Sequence, residues 1–191
     1  MKAAIVLLAS TPIQNFIRHI VFELNASYGA AFFASLLPSH VSLKQPFAFE
    51  DMDVLEKYFD SLAARTRPFD LRLDRFYCEE WAGFGILGLN VVETPILRGL
   101  HNQLNDELSR LFIDTRAAHD GSGYHFHMTI ELGKVEGANP FKEYFDGLIE
   151  RQVDFNYRVK EMALFYYTEE GNRAGTFINY RVMPLGGKDM L

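Results

Sequence analysis

The chain has 191 residues, of which 48% are hydrophobic and 23% are charged, a composition that excludes an intrinsically disordered protein. A single cysteine, Cys78, excludes a scaffold of internal disulfides. The 19 basic and 25 acidic side chains give a formal net charge of −6, so we expect no extended nucleic-acid surface. No apolar run approaches the roughly 20 residues of a membrane span, so we expect no membrane partner either.

Five elements are predicted in the first half of the chain. Residues 3–9 form a short apolar run, which indicates a buried strand. Lys2 before this run gives only a faint likeness to a signal peptide, because no small-residue cleavage site follows, and we therefore predict a cytoplasmic protein. The other four elements are a helix over 13–24, a strand over 40–44, a helix over 52–62 and an alternating strand over 69–75.

The second half repeats this order from residue 84 onward, and Thr94 followed by Pro95 is typical of a helix start. The predicted elements are a strand over 84–92, a helix that follows Thr94 and extends to residue 111, a loop at 121–123 and a strand over 125–132. Asn139 and Pro140 then open a helix whose apolar stripe ends at Ile149. Two strands near 159–168 and 176–183 follow, joined by turn-rich 169–175.

This internal repeat predicts an α+β fold. Each half contributes strand, helix, strand, helix and strand, so we expect two pseudo-symmetric lobes with antiparallel sheets around a central groove. Residues 1–191 would form a single bilobal domain with intertwined lobes, whose sequence halves are approximately 1–80 and 81–191.

Each half carries a short polar motif on its middle strand. The first is His-Val-Ser-Leu at residues 40–43, and the second is His-Met-Thr-Ile at residues 127–130. Residues two apart in a strand point to the same face. The histidine and the hydroxyl residue of each motif therefore share a face, and the two apolar residues point to the core. The repeat predicts that the two polar pairs face each other across the groove.

These polar pairs suit phosphoryl chemistry without a metal. His40 and His127 can serve as general base and general acid on opposite sides of one phosphorus, because imidazole titrates near neutral pH. Ser42 and Thr129 can donate hydrogen bonds to the phosphoryl oxygens, where negative charge accumulates. The spacing leaves open which histidine is the base.

The two motifs, their matched places in the repeat and Pro38 before the first motif resemble the two-histidine (2H) phosphoesterase superfamily, which includes 2′-5′ RNA ligase-like proteins and cyclic phosphodiesterases. The resemblance covers nearly the whole chain. It implies that His40 and His127 are the catalytic pair and that Ser42 and Thr129 bind phosphate. Family members hydrolyse 2′,3′-cyclic phosphates, ADP-ribose cyclic phosphate or related RNA ends, and some ligate RNA.

Neighbouring residues extend the candidate site. Lys44 lies in the same strand register as Ser42, so it is a candidate contact for the substrate, and His125 is a candidate for the groove rim. Glu131 holds the place that matches Lys44 in the second half, so its charge would make the two lobes unequal. Candidates for stacking on a base are Tyr124, Tyr166 and Tyr167. We assign no role to His19, His101 or His119.

Two other functions stay open. His125, His127 and Glu131 resemble half of a cupin metal site, which would make a metal-dependent enzyme. The same fold could also form a non-catalytic module that binds nucleotides or RNA ends. The prediction that we favour is a metal-independent hydrolase that opens a 2′,3′-cyclic phosphate or a related cyclic phosphodiester on a nucleotide or RNA end. It would be a monomer and need no cofactor.

Overall fold

The structure is a computed structural model. It describes residues 1–28, 37–81, 84–113, 115, 117, 119–134, 140–148, 151–167 and 177–186. The helices in these residues are α1 (Thr11–Tyr28), α2 (Met52–Arg65), α3 (Pro95–Leu111) and α4 (Pro140–Leu148). The strands are β1 (Lys2–Leu8), β2 (His40–Ser42), β3 (Phe47–Ala48), β4 (Phe69–Trp81), β5 (Phe84–Val91), β6 (His127–Lys134), β7 (Phe155–Val159), β8 (Glu161–Tyr167) and β9 (Ile178–Pro184).

All nine strands form one curled antiparallel sheet, whose order is β7-β4-β5-β6-β2-β1-β8-β9, with β3 pairing to β1. The order is symmetric about the β2–β6 pair: β1 corresponds to β5, β8 to β4 and β9 to β7. Strand β4 of the first half pairs with β5 of the second, and β8 of the second half pairs with β1 of the first. The predicted α+β fold of two pseudo-symmetric halves is therefore confirmed.

The prediction of a strand near 159–168 is confirmed by β8, but the separate strand β7 just before it was not predicted. Strand β7 ends at Val159 and pairs with β4, whereas β8 begins at Glu161 and pairs with β1. Since two residues span at most about 7 Å, the sheet must curl until these two pairings lie close together. The short strand β3 was also not predicted. The predicted turn at 169–175, Asn139 and Ile149 lie outside the described residues.

The hydrophobic core fills the space between the helices and one face of the sheet. Strand β1 alternates between this core and the opposite face, where a second, smaller apolar cluster lies. The core side chains of β1 are Ala3, Ile5 and Leu7, and its residues in the smaller cluster are Ala4, Val6 and Leu8. Helix α3 begins as predicted, because the Thr94 hydroxyl accepts from the Leu97 amide at 3.2 Å. None of the described helices has the length and apolar content needed to cross a membrane.

The pairing of β2 with β6 is short, and side chains reinforce it. Strand β2 has three residues, and Val41 lies opposite Met128 in its register with β6. His101 on α3 donates from Nδ1 to the Leu43 carbonyl at 2.6 Å and accepts at Nε2 from the Gly121 amide at 3.0 Å. The end of β2 is thereby joined to the loop that leads to β6. The sequence assigned no role to His101, but its side chain is fully buried.

Candidate active site

The four polar motif residues lie together on one face of the sheet. Because Val41 pairs with Met128 in antiparallel register, His40 lies opposite Thr129, and Ser42 lies opposite His127. These side chains are partly exposed, whereas the intervening apolar residues are buried. The two histidines are thus diagonal neighbours, about 7–8 Å apart in standard sheet geometry, with their Cβ atoms somewhat closer.

Both histidine rings are held in the same way. Nδ1 of His40 donates to the Pro38 carbonyl at 2.8 Å, and Nδ1 of His127 donates to the His125 carbonyl at 3.1 Å. A carbonyl oxygen only accepts, so the proton of each neutral ring resides on Nδ1. Each Nε2 therefore keeps a lone pair that can take a proton, which is the requirement for a general base.

The surroundings of the two rings differ. The edge of the His40 ring meets Phe165 at a centroid distance of 4.9 Å, next to the smaller apolar cluster. The His127 ring lies 5.5 Å from Tyr77 and 5.7 Å from His125, measured between centroids. The sequence does not predict Tyr77 as a residue of the site, because no local pattern shows that β4 places it beside the motif on β6.

Burial shifts both histidines toward the neutral form. Burial and, to a smaller extent, the nearby His127 lower the pKa of His40 to about 4, against the hydrogen bond to Pro38. Burial also lowers the pKa of His127. The hydrogen bond to the His125 carbonyl raises it, the charge of His125 lowers it, and the charge of Glu79 raises it. The two rings are therefore unequal, although their motifs are equivalent.

The sequence of residues 9–171 matches the model of the 2′-5′ RNA ligase superfamily. The chain belongs to this superfamily. Two curated proteins, from Geobacillus sp. strain WCH70 and Geobacillus thermodenitrificans strain NG80-2, are 25% and 26% identical to it over 191 residues. Both alignments cover 99% of each chain, and both proteins are named provisionally as phosphoesterases. Membership of the superfamily and the names of these relatives together indicate a phosphoester-cleaving enzyme.

Several solved structures have a similar fold. A protein of Thermus thermophilus has a TM-score of 0.66 at 13% identity, and the match covers 98% of this chain and 100% of that one. E. coli LigT in complex with 3′-AMP has a TM-score of 0.63 at 18% identity, covering 96% and 97% of the two chains. At these identities the likeness supports the fold, including its two pseudo-symmetric halves.

Lys44 has a different environment from the one expected of a substrate contact. Strand β2 ends at Ser42, and beyond it the Lys44 side chain is fully buried, with Nζ paired to the Asp120 carboxylate. Asp120 also accepts from the Ala117 amide at 3.0 Å. An enclosed, paired ammonium is poorly placed to meet a ligand at the histidines. The ion pair with Asp120 joins the chain after β2 to the loop before β6.

A bulge removes Glu131 from the face of the motif residues. Between Leu87 and Gly88 the register of β5 with β6 shifts by one residue, so that Glu131 pairs with Leu87 and is 1% exposed. The charge of Glu131, which holds the place matching Lys44 in the sequence, therefore does not lie beside the motif residues. Among the described residues, no three metal-binding side chains form a cluster, and His125, His127 and Glu131 do not come together as the cupin-like alternative requires.

Two of the three tyrosines proposed for base stacking pack against other residues of the protein. Tyr124 is 7% exposed, stacks on His101 at 4.4 Å and donates to the Ser42 carbonyl at 3.2 Å, so it is a structural residue. Tyr166 packs against Tyr180 at 5.2 Å. The side chain of Tyr167 lies outside the described part of the chain. His125 is exposed beside His127, as the rim prediction requires.

Gly88 leaves the space that the Tyr77 ring occupies. A Cβ atom at this position would lie 2.3 Å from Cε1 of Tyr77 and 3.0 Å from the Met128 carbonyl oxygen. We expect Gly88→Ala to cost about 1–3 kcal/mol of unfolding free energy, because either the ring or the backbone must shift. It should also lower kcat, since the displaced ring contacts His127. Chemical denaturation and steady-state kinetics measure both effects.

Gly99 provides the matched control for this substitution. No atom lies within 4 Å of a Cβ built there, so Gly99→Ala at an exposed position of α3 should raise stability by roughly 0.5–1 kcal/mol. Adding Gly88→Ala to Tyr77→Ala should cost much less than adding it to the wild type, because the clash with the ring is gone. Equal costs in the two backgrounds would show that Tyr77 is not the obstacle.

Proposed function

We propose that this protein hydrolyses a 2′,3′-cyclic phosphate, or a related cyclic phosphodiester, at the end of a nucleotide or short RNA. The observation that carries the proposal is the pair of diagonal histidines, each with Nδ1 bonded to a carbonyl and Nε2 left for the substrate. Ser42 and Thr129 occupy the other diagonal of the same four-residue group, where their hydroxyls can donate to the phosphoryl oxygens.

The proposed reaction is one in-line displacement. Nε2 of His40 takes a proton from water while the water oxygen forms a bond to phosphorus. The ester bond to one ribose oxygen breaks, and Nε2 of His127 gives its proton to that oxygen. The product is a phosphate monoester, and exchange with solvent returns both rings to their starting states. The groups described at the site supply this chemistry by proton transfer and hydrogen bonding alone.

The environments favour His40 as the base and His127 as the acid. Phe165 and the adjoining apolar cluster disfavour a charged ring at His40. At His127 the hydrogen bond to the His125 carbonyl and, more weakly, the charge of Glu79 raise the pKa against burial, although the charge of His125 lowers it. The working state therefore has His40 neutral and His127 protonated, which assigns the roles that the symmetric motifs left open.

A nucleotide is the proposed substrate class for two reasons. The net charge of −6 disfavours a long nucleic-acid strand. In addition, the structural neighbour LigT has been crystallised with 3′-AMP, ATP and NADP⁺. A nucleotide or one RNA terminus presents a single phosphate to the histidines.

The proposed roles predict a bell-shaped dependence of kcat/KM on pH. Activity should fall below about pH 4, where His40 becomes protonated and can no longer act as base. It should also fall as the pH rises past the pKa of His127, which lies below the ordinary value of 6.5. The optimum is therefore expected in the acidic range. Initial rates in buffers of constant ionic strength measure the profile, and an optimum above pH 7.5 would contradict the assignment.

The test of the proposed function is a substrate panel assayed in EDTA. It contains the four 2′,3′-cyclic mononucleotides, short RNAs ending in a cyclic phosphate, a 3′,5′-cyclic nucleotide and a phosphate monoester. We expect turnover of the 2′,3′-cyclic substrates to one monoester isomer and no turnover of the monoester. Turnover only after a divalent metal is added would favour the metal-dependent alternative. Tight nucleotide binding without turnover would favour a binding module.

A further inference from the structure

The backbone carbonyls that hold the two proposed catalytic rings are fixed by different means. Each ring bonds to the residue two positions before it, which is Pro38 for His40 and His125 for His127. A proline ring restricts φ to about −65°, so the backbone of Pro38 is stiff by itself. His125 has no such restriction and lies exposed before the first residue of β6.

The side chain of His125 is anchored through two hydrogen bonds. Its Nε2 lies 2.8 Å from Oδ1 of Asn90, and Nδ2 of Asn90 donates to Oδ1 of Asp74 at 2.7 Å. The carboxylate can only accept, so the amide nitrogen of Asn90 faces Asp74 and its oxygen faces His125. That oxygen also only accepts, and Nε2 of His125 is therefore the donor. His125 thus donates to Asn90, and Asn90 donates to Asp74.

The sheet builds this chain with a bulge. Asn90 on β5 pairs directly with His127 on β6 and is 7% exposed. On β4, Leu73 pairs with Val91 and Arg75 pairs with Asn90, so Asp74 is the additional residue between them. A bulged residue has its side chain turned out of the regular alternation. This is how a carboxylate comes within hydrogen-bonding distance of Asn90.

We propose that Asp74, Asn90 and His125 are positioning residues that fix the ring of His127, and that they replace the proline that serves His40. The inference rests on the proposed catalytic role of His127. The three residues act through the backbone carbonyl of His125. When the side chain of His125 is anchored, this carbonyl stays aligned with Nδ1 of His127, so Nε2 of His127 stays directed at the phosphate. Tyr77 confines both rings from the side, at 5.4 Å from His125 and 5.5 Å from His127.

Four variants test the network by kinetics. Asn90→Ala and His125→Ala should each lower kcat by about tenfold with little change in KM, because a misplaced ring weakens proton transfer more than binding. Their double variant should be no slower than either single one, since both break the same chain. His125→Gln retains an N–H donor near the position of Nε2 and should keep most of the activity. His125 is exposed, so its variants should fold even if Asn90→Ala is destabilised.

A matched control breaks an amide-to-carboxylate bond on a helix. Gln103, exposed on α3, donates to Glu107 at 3.0 Å, and Gln103→Ala should leave kcat unchanged. Nitrogen-15 NMR of the imidazoles supplies a readout that needs no substrate. In the wild type His127 should be the Nδ1–H tautomer when neutral, and in Asn90→Ala and His125→Ala it should become a mixture of tautomers.

The outcomes separate the network from the proposed function. Wild-type protein that turns over no cyclic phosphate overturns the function, while the tautomer of His127 in the variants still decides on the network. Unchanged kcat and an unchanged tautomer in both Asn90→Ala and His125→Ala overturn the network. A loss in His125→Ala that Asn90→Ala does not share also overturns it, because His125 would then act directly on the substrate.

Discussion

His40→Ala and His127→Ala should each lower kcat on a 2′,3′-cyclic nucleotide by at least about a hundredfold, because each removes one proton-transfer partner. The double variant should lose much less than the product of the two single losses, since base and acid act in the same step. Both variants should remain folded, because the rings lie partly exposed on the sheet surface and neither fills the core. Steady-state rates in EDTA and thermal melts provide the measurements.

His19 is the control for the loss of an imidazole as such. It lies on α1 with a side chain that is 73% exposed and within 3.1 Å of Glu23, so His19→Ala should retain wild-type activity. If either His40→Ala or His127→Ala kept its kcat within about threefold of the wild type, the paired acid–base mechanism would be wrong.

Lys44→Met should destabilise the protein by about 3–5 kcal/mol, since it leaves the Asp120 carboxylate without its buried counter-ion. The loss is a large share of the roughly 5–15 kcal/mol that holds a typical protein folded. The melting temperature should fall by roughly 10 °C or more. Below that temperature KM should stay close to the wild-type value, because Lys44 is enclosed and has no contact with substrate in the proposed mechanism.

Two further variants test whether the loss of stability in Lys44→Met comes from the unpaired Asp120 carboxylate. Arg72→Met breaks an ion pair whose side chains are 51% and 59% exposed, and it should leave the melting temperature almost unchanged, because solvent screens exposed pairs. Combining Lys44→Met with Asp120→Leu removes both buried charges and should recover much of the stability. A folded Lys44→Met protein with normal stability and a strongly raised KM would restore the substrate-binding role that the sequence suggested.

The sequence alone predicts those features of the structure that depend on the spacing of nearby residues. The alternation in each motif predicts correctly that Val41 and Met128 are fully buried while the histidines beside them stay partly exposed. The Thr94 cap needs only its own helix. These features follow from strand periodicity and capping chemistry, which act over a few residues.

Contacts between distant segments could not be predicted in the same way. Lys44 shares the period of Ser42 but finds Asp120, 76 positions away in the sequence, and is drawn into the interior. His101 lies among polar helix residues, yet its ring is buried between Leu43 and Gly121. The position of a residue in the sequence does not show which distant residues it will contact, because these residues come together only when the sheet forms.

Bulges account for the remaining differences. One additional residue in β6 moves Glu131 to the buried face of the sheet, although a regular strand would place it beside Thr129. Another in β4 directs Asp74 toward Asn90. A single inserted residue reverses the face of a side chain, and periodicity in the sequence does not mark where it occurs.

The central claim is that one phosphate binds between the two motif histidines. A crystal structure with adenosine 2′-phosphate or inorganic phosphate tests it most directly. We expect the phosphate oxygens within hydrogen-bonding distance of Nε2 of both His40 and His127, with the hydroxyls of Ser42 and Thr129 on its remaining oxygens. A phosphate bound to one histidine alone, or held in the cavity of about 540 Å³ lined by Asn102 and Asp106 on α3, would contradict the claim.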